Sequence, residues 1–307
     1  MVIQMELAFL ARAIKFSKGE NPLSKPNQTS NMSDDDAYYE ATINRIATEA
    51  RREKTTVEKL LYVYNELGKL IEYEDRGEKW RVSHTGKGAI VNGKAFCDGY
   101  SEAIIAVLEK LNIQAHEVVS WPMNHSWVMV NIDGTYYHMD LTWDDAGNTV
   151  TYDYFLLSDQ KMIKANHYGW KTNVKAPSDK YLFIKELFPD YRKKAPIHFE
   201  NGFFYYLNKT SFLNDPNNGI IVKLAFNQNT TEVIPHSKFD RVYSYKDWYY
   251  GVSTDYQTNQ TTLYKFKLNG EEKILTSFQG YLSGLDFYDG YLKVHVQGEK
   301  KERIIKN

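Results

Sequence analysis

The stretch NHSWVMVNIDGTYYHMDLTWDD, residues 124–145, decides how this chain folds. Apolar and polar residues alternate on both sides of Asp133-Gly134, the period-two pattern of paired strands. Asp-Gly suits a two-residue hairpin loop, whose central positions both need positive φ. With that loop, Ile132 faces Thr135, Trp127 faces Asp140 and His125 faces Thr142. His125, Trp127, Met129 and Asn131 then share a face with Tyr136, His138, Asp140 and Thr142, and His125 becomes a diagonal neighbour of Asp140. A one-residue slip would send the two to opposite faces. The spacing thus sets a histidine beside an aspartate on one side of a sheet, with His138 as a second histidine on that face.

Upstream, GKAFCDGYSEAIIAVLEKL, residues 93–111, holds the only cysteine of the 307 residues. Cys97 stands just before a run that reads as a helix, apolar nearly all round at Ala103 to Leu108, the pattern of a buried helix. At a helix N-terminus free N–H groups and the dipole favour a thiolate. Cys97, a histidine and Asp140 together suggest a nucleophile, a base and an orienting carboxylate. The N–H of Cys97 is one candidate oxyanion-hole donor, and Trp80 and Asn92 upstream are candidates for the second. The plainer readings are a small buried thiol, structural histidines and a strand-end carboxylate. Asp144-Asp145 reads as a pair of ordinary loop carboxylates, so no metal is assigned, and no cofactor is expected.

Composition bounds the rest. Lys and Arg total 38 against 39 Asp and Glu, which removes any electrostatic case for nucleic acid or an anionic membrane as partner. One cysteine excludes an internal disulfide and a CxxC metal knuckle. No stretch approaches the roughly 20 apolar residues of a membrane span. MELAFLARAIKF, residues 5–16, reads as a short amphipathic helix, interrupted by Glu6 and Arg12, rather than as a signal-peptide core. Residues 17–36 read as a polar linker. A helix is expected from Asp34 to Lys54 with Ile43, Ile46 and Ala47 on one side. A second is expected from Thr55, where Thr55 and Glu58 match a capping box and Val57, Leu60, Leu61, Tyr64, Leu67 and Ile71 form one core face. Asp75 to Asn92 reads as a loop.

After KAPSDKYLFIKELFPDYRKKAP, residues 175–196, the pattern changes to short aromatic strands. GFFYYL (202–207), DWYYGV (247–252) and DGYLKV (289–294) recur, as do IVKLAF (221–226) and LYKFKL (263–268), at intervals of roughly forty residues. Such a β-meander repeat resembles propeller blades, but the units are too few to close a propeller, so an open or stacked antiparallel sheet is expected. The expected division is an N-terminal helical and linker segment (1–50), a catalytic domain (51–195) and a β-repeat domain (196–307).

GKAFCDGYSEA, NHSWVMVNIDGTYYHMDLTWDD and YDYFLLSDQKM, in this order, resemble the bacterial members of the transglutaminase-like superfamily over about residues 55–170. Carried over position by position, the resemblance makes Cys97 the nucleophile, His125 rather than His138 the base, and Asp140 the third member. It implies an α+β fold: a papain-like core with a Cys-bearing helix packed on an antiparallel sheet, here followed by an all-β antiparallel repeat domain. It implies attack of a thiolate on an amide carbonyl of a protein or peptide, giving a thioester resolved by water or an amine, hence protease, deamidase or transglutaminase activity. Trp80, Trp121, Trp127 and Trp143 are candidate walls of a substrate cleft, or core aromatics. His167 and Trp170 match the segment that follows the triad and read as structural. Modular bacterial proteins of this kind act outside the cell, so a secreted or cell-surface setting is expected, with the β-repeat domain as a binding module for a surface partner. The alternative is a non-catalytic binding protein on the same scaffold.

Overall fold

The computed structural model describes residues 33–74, 84–147, 149–190, 194–209, 218–226, 231–245, 247–288 and 290–306. The N-terminal helix expected at 5–16, most of the linker and Trp80 lie outside them. Residues 38–307 form one compact unit, α+β in class, with a C-terminal all-β antiparallel region of several sheets.

Helix α1 (Asp34–Ala50) buries Ile43, Ile46 and Ala47. Helix α2 (Thr56–Leu70) opens on the expected capping box: the Glu58 N–H donates to Thr55 Oγ1 at 3.2 Å, and the Thr55 N–H to Glu58 Oε2 at 2.8 Å. Its burial differs from the expected single face. Tyr62, Val63, Asn65 and Gly68 are buried too, because segments far along the chain cover the side that the pattern left to solvent: the strand Lys194–Glu200 near Tyr62, and Val150 and Tyr152 near Gly68 and Asn65. Tyr62 meets the His198 ring edge-on there, and Gly68 has no room for a Cβ, which would come within 2.4 Å of Val150.

Strands β1 (Glu72–Tyr73) and β2 (Lys94–Ala95) pair in parallel. Between them, part of the expected loop is a helix, α3 (Gly86–Asn92), capped by Thr85 Oγ1, which accepts the Gly88 N–H at 2.9 Å. Gly86 lets it lie against the next helix, since a Cβ there would meet the Ala103 nitrogen at 2.8 Å. Gly93 ends it at φ +67. Helix α4 (Cys97–Lys110) follows, with Cys97 as its first residue rather than the residue before it.

Helix α4 packs on the antiparallel sheet β3-β4-β5-β6: β3 (Ala115–Ser120), β4 (His125–Ile132), β5 (Thr135–Met139) and β6 (Phe155–Leu157). The expected hairpin register is present: Ile132 pairs with Thr135 and Val128 with Met139, and Asp133 and Gly134 turn at φ 52 and 85. The ladder stops at Val128–Met139, short of the expected Trp127–Asp140 and His125–Thr142 pairings. Thr142 does not face His125, because Asp140 ends the strand and caps a helical turn, α5 (Leu141–Asp144), by accepting the Trp143 N–H. Both faces of the sheet are buried. Val128, Val130, Tyr137 and Met139 join the main core with α1, α2 and α4, while Val118, Trp127, Met129 and Leu157 pack with Met162 of α6 (Asp159–Lys164) and with Ala176.

After α7 (Phe183–Leu187) the chain forms three antiparallel meanders. The first holds β7 (Lys194–Glu200), β8 (Phe203–Asn208), β9 (Ile221–Ala225) and β10 (Thr231–Ile234). The second holds β11 (Arg241–Tyr245), β12 (Trp248–Asp255), β13 (Gln260–Phe266) and β14 (Glu272–Gln279). The third holds β15 (Leu282–Tyr288), β16 (Tyr291–Val296) and β17 (Arg303–Lys306). The recurring aromatic segments lie on β8, β12 and β16, the second strand of each meander. One apolar cluster joins the first two sheets through Leu207, Phe239 and Phe266, and another joins the second and third through Tyr250, Leu263 and Leu292. The main core itself crosses from the helical half into the first meander at Phe199, Phe204, Tyr206 and Val222.

Candidate active site

Three chain segments converge at one end of the β3–β6 sheet. Helix α4 starts at Cys97, β4 starts at His125, and β5 has just ended before Asp140. The hairpin register carries His125 to Asp140, whose Oδ2 lies 2.6 Å from His125 Nε2. The Cys97 side chain is close enough to His125 to help hold its proton, and with Nε2 on Asp140 the ring nitrogen left for the sulfur is Nδ1. All three residues are buried, with Cys97 and His125 each 6% exposed and so just accessible from outside.

Burial alone would push the Asp140 carboxyl up. The attraction of His125 and hydrogen bonds from two imidazoles outweigh it and hold the group at about 2. Burial would likewise depress His125, but the Asp140 charge and the bonds to Asp140 and Cys97 raise it to about 10. The site therefore favours an ionised Asp140 carboxylate paired with a protonated His125 imidazole. As first residue of α4, Cys97 has a backbone N–H with no acceptor inside the helix, free to meet a developing oxyanion. Asn92, a candidate for the second donor, directs its side-chain amide to the Gly88 carbonyl at 3.0 Å.

The second imidazole on Asp140 is His167, whose Nε2 lies 2.8 Å from the same Oδ2. Its Nδ1 faces the Ala165 carbonyl, and the ring is fully buried. Sequence reading takes His167 as structural and does not connect it to Asp140. The two are 27 positions apart, and no periodic element carries one toward the other. The nearest signal was its place shortly after the hairpin. His125, Asp140 and His167 set three ligand-type atoms within 4.8 Å of one another. The two His–Asp separations are hydrogen-bond lengths, shorter than the roughly 3.3 Å between ligands of a tetrahedral zinc with bonds of about 2.0 Å. Shared protons account for this cluster.

His138, the other histidine of the hairpin face, is engaged elsewhere. The Trp127 indole N–H donates to its Nδ1 at 2.9 Å, so Nε2 carries the ring proton and donates to Asp159 Oδ1 at 2.9 Å. Burial holds it below its ordinary value, and it is a neutral prop for Trp127.

Of the three candidate tryptophans among the described residues, Trp127 is buried and stacks on His125 at 5.7 Å. Trp143 lies over His125 at 5.4 Å and over His167 at 4.3 Å, and is 39% exposed, so it forms an outer wall. Trp121 is exposed in the turn before β4. Trp170 meets Trp127 and His138 edge-on.

The adjacent carboxylates are clamps. Asp144 accepts the Tyr64 hydroxyl at 2.6 Å, Thr151 Oγ1 at 2.7 Å and the Tyr154 N–H, yet burial still raises it to about 7. Asp145 accepts the Tyr100 hydroxyl and the Gly147 N–H. Next to the cysteine, His84 Nδ1 lies 2.7 Å from Asp98 Oδ2, and its ring stacks on Phe96 at 4.7 Å.

Residues 44–141 match the family model of the transglutaminase-like superfamily. A search of curated proteins finds no match. Among solved structures, a candidate cysteine protease from Cytophaga hutchinsonii is similar at 16% identity and TM-score 0.29, over 34% of this chain and 37% of that one. A TGase is similar at 14% identity and TM-score 0.32, over 46% and 40%. The chain thus spans well under half the length of either structure. The family match at residues 44–141, a transglutaminase-like domain, takes in both the Cys-bearing helix and the His–Asp hairpin.

Proposed function

We propose that this protein is a cysteine enzyme that cleaves or transfers the acyl group of protein or peptide amides through a thioester on Cys97. The observation that carries the reading is His125, its Nε2 on the buried Asp140 at 2.6 Å and its ring close enough to the Cys97 side chain to interact with it.

In this reading the thiolate attacks the amide carbonyl and the Cys97 N–H receives the oxyanion. His125 gives its proton to the leaving nitrogen, the C–N bond breaks and a thioester remains. Water or an amine then gives a proton to His125 and attacks the thioester, and the thiolate is restored. Asp140 stays ionised throughout and holds the ring with Nδ1 toward sulfur. Trp127 and Trp143 flank the imidazole and limit water on two sides. The C-terminal meanders are proposed as a binding module.

The test is to incubate wild type and Cys97→Ala with an unfolded carrier protein and a fluorescent primary amine. Amine incorporation, new N-termini or released ammonia that depends on Cys97 supports the reading and tells acyl transfer, proteolysis and deamidation apart. Equal results from both proteins would favour the binding-scaffold alternative.

A further inference from the structure

A cavity of about 690 Å³ opens between the helical half and two of the C-terminal sheets. On one side it is lined by Glu72 of β1, by Asn92 to Lys94 leading into β2, and by Ala146-Gly147; on the other by β11 and β15. Its size is that of a ligand cleft.

Three observations tie it to the cysteine. Lys94 is three residues before Cys97, a reach of about 10 Å at most along the chain. Tyr73, beside Glu72 on β1, meets Phe96 edge-on at 5.9 Å, and burial together with the nearby Cys97 raises its hydroxyl pKa. Asp145 joins helix α4, through the Tyr100 hydroxyl, to the loop that lines the cavity at Gly147. The far wall is aromatic and pre-set. Tyr245 and Phe287 stack at 5.2 Å and 14°, with Tyr288 beside them 37% exposed, while Arg241 is anchored on the Leu282 carbonyl and Asp286 on His295.

We propose that this cleft holds the peptide chain flanking the amide that Cys97 attacks, with Tyr245, Phe287 and Tyr288 receiving an aromatic or long apolar residue about three positions from that amide. The proposal rests on the cysteine-enzyme reading above. A peptide fits because a chain leaving the sulfur past Tyr73 reaches the cleft in about three extended residues. The lining offers Lys94 and Arg241 with Glu72 and Asp286 for its backbone and polar groups, and a flat aromatic face for one side chain.

The test uses peptides that carry an alkylating group. Acetyl-Phe-Ala-Ala-Ala-chloromethyl ketone and iodoacetyl-Ala-Ala-Ala-Phe-amide extend in opposite directions from the electrophile. Each is compared with its single-alanine counterpart by the rate of Cys97 labelling in mass spectrometry. In wild type, one of the long probes is expected to label about tenfold faster than its short partner, the factor of one good aromatic contact. In Tyr245→Ser and Phe287→Ser that ratio should fall toward one. Tyr288→Ser, at an exposed position, should lower it as well, so misfolding of the first two variants does not decide the matter. A wild-type ratio near one in both directions, or a ratio that Tyr288→Ser leaves intact while both probes still label, overturns the cleft assignment alone. Cys97 labelling by iodoacetamide that is slow and indifferent to His125→Ala removes the enzyme reading and the cleft with it.

Discussion

Asp140 carries the most demanding chemistry of any single residue in this protein. One fully buried carboxylate oxygen accepts from two imidazoles, and the other accepts the Trp143 N–H. The sign of its pH dependence follows from its neighbours. His125 is raised from 6.5 to about 10, so its share of stability is full below 6.5 and is lost as pH rises through about 10. Asp140 is lowered from 3.8 to about 2, so its share is full above 3.8 and is lost as pH falls through about 2. The stability gap between wild type and Asp140→Asn should therefore be widest between about pH 4 and 6.5 and narrow toward pH 10, measured by urea unfolding across pH; a gap that grows toward alkaline pH would contradict the assignment. Truncating His167 removes one donor from a buried carboxylate and empties the space under Trp143. His167→Ala should cost about 2–3 kcal/mol, read as a lower urea midpoint. An unchanged midpoint would mean that the ring does not support Asp140.

At the level of elements, what was legible followed from local rules. Period two and Asp-Gly fixed the hairpin register, and with it the meeting of His125 and Asp140. Thr55 and Glu58 marked the start of α2, and Thr55→Ala should lower stability by about 1 kcal/mol in thermal or urea unfolding. What was not legible depended on partners distant in sequence. Helix α3 hides in a glycine-rich segment because its glycines permit close packing on α4. Gly86→Ala drives a Cβ into the backbone of α4 and should cost about 1–3 kcal/mol, although alanine is the better helix former. A stabilised Gly86→Ala protein would show that the contact can relax. The buried back of α2 and the second imidazole on Asp140 belong to the same class, since their partners, β7 and the segment after α6, come much later in the chain.

Across the whole molecule, the helical half and the C-terminal meanders are two kinds of architecture that share one core. Phe199, Phe204 and Tyr206 pack in the same cluster as α1 and α2, and Glu53 accepts the backbone N–H groups of Asn201 and Gly202 at the β7–β8 turn. Removing everything after residue 195 would take away the His198 ring that covers Tyr62 of α2. A 33–195 fragment is expected to unfold with little cooperativity or to aggregate; a sharp transition at the full-length midpoint would contradict a shared core. The aromatic repeat announced an antiparallel region, but the sequence does not say that its sheets lean on α2, because that contact is written in no local period.

The central claim is that His125 and Asp140 activate Cys97. The most direct measurement is the rate of Cys97 alkylation by iodoacetamide from pH 5 to 10, in wild type and in His125→Ala. The account predicts fast alkylation in wild type at pH 6, changing little up to pH 9, and a His125→Ala protein that reacts only as pH approaches the ordinary thiol range of about 8.5. Matching profiles that both rise near 8.5, or a thiol inert in both proteins, would contradict it.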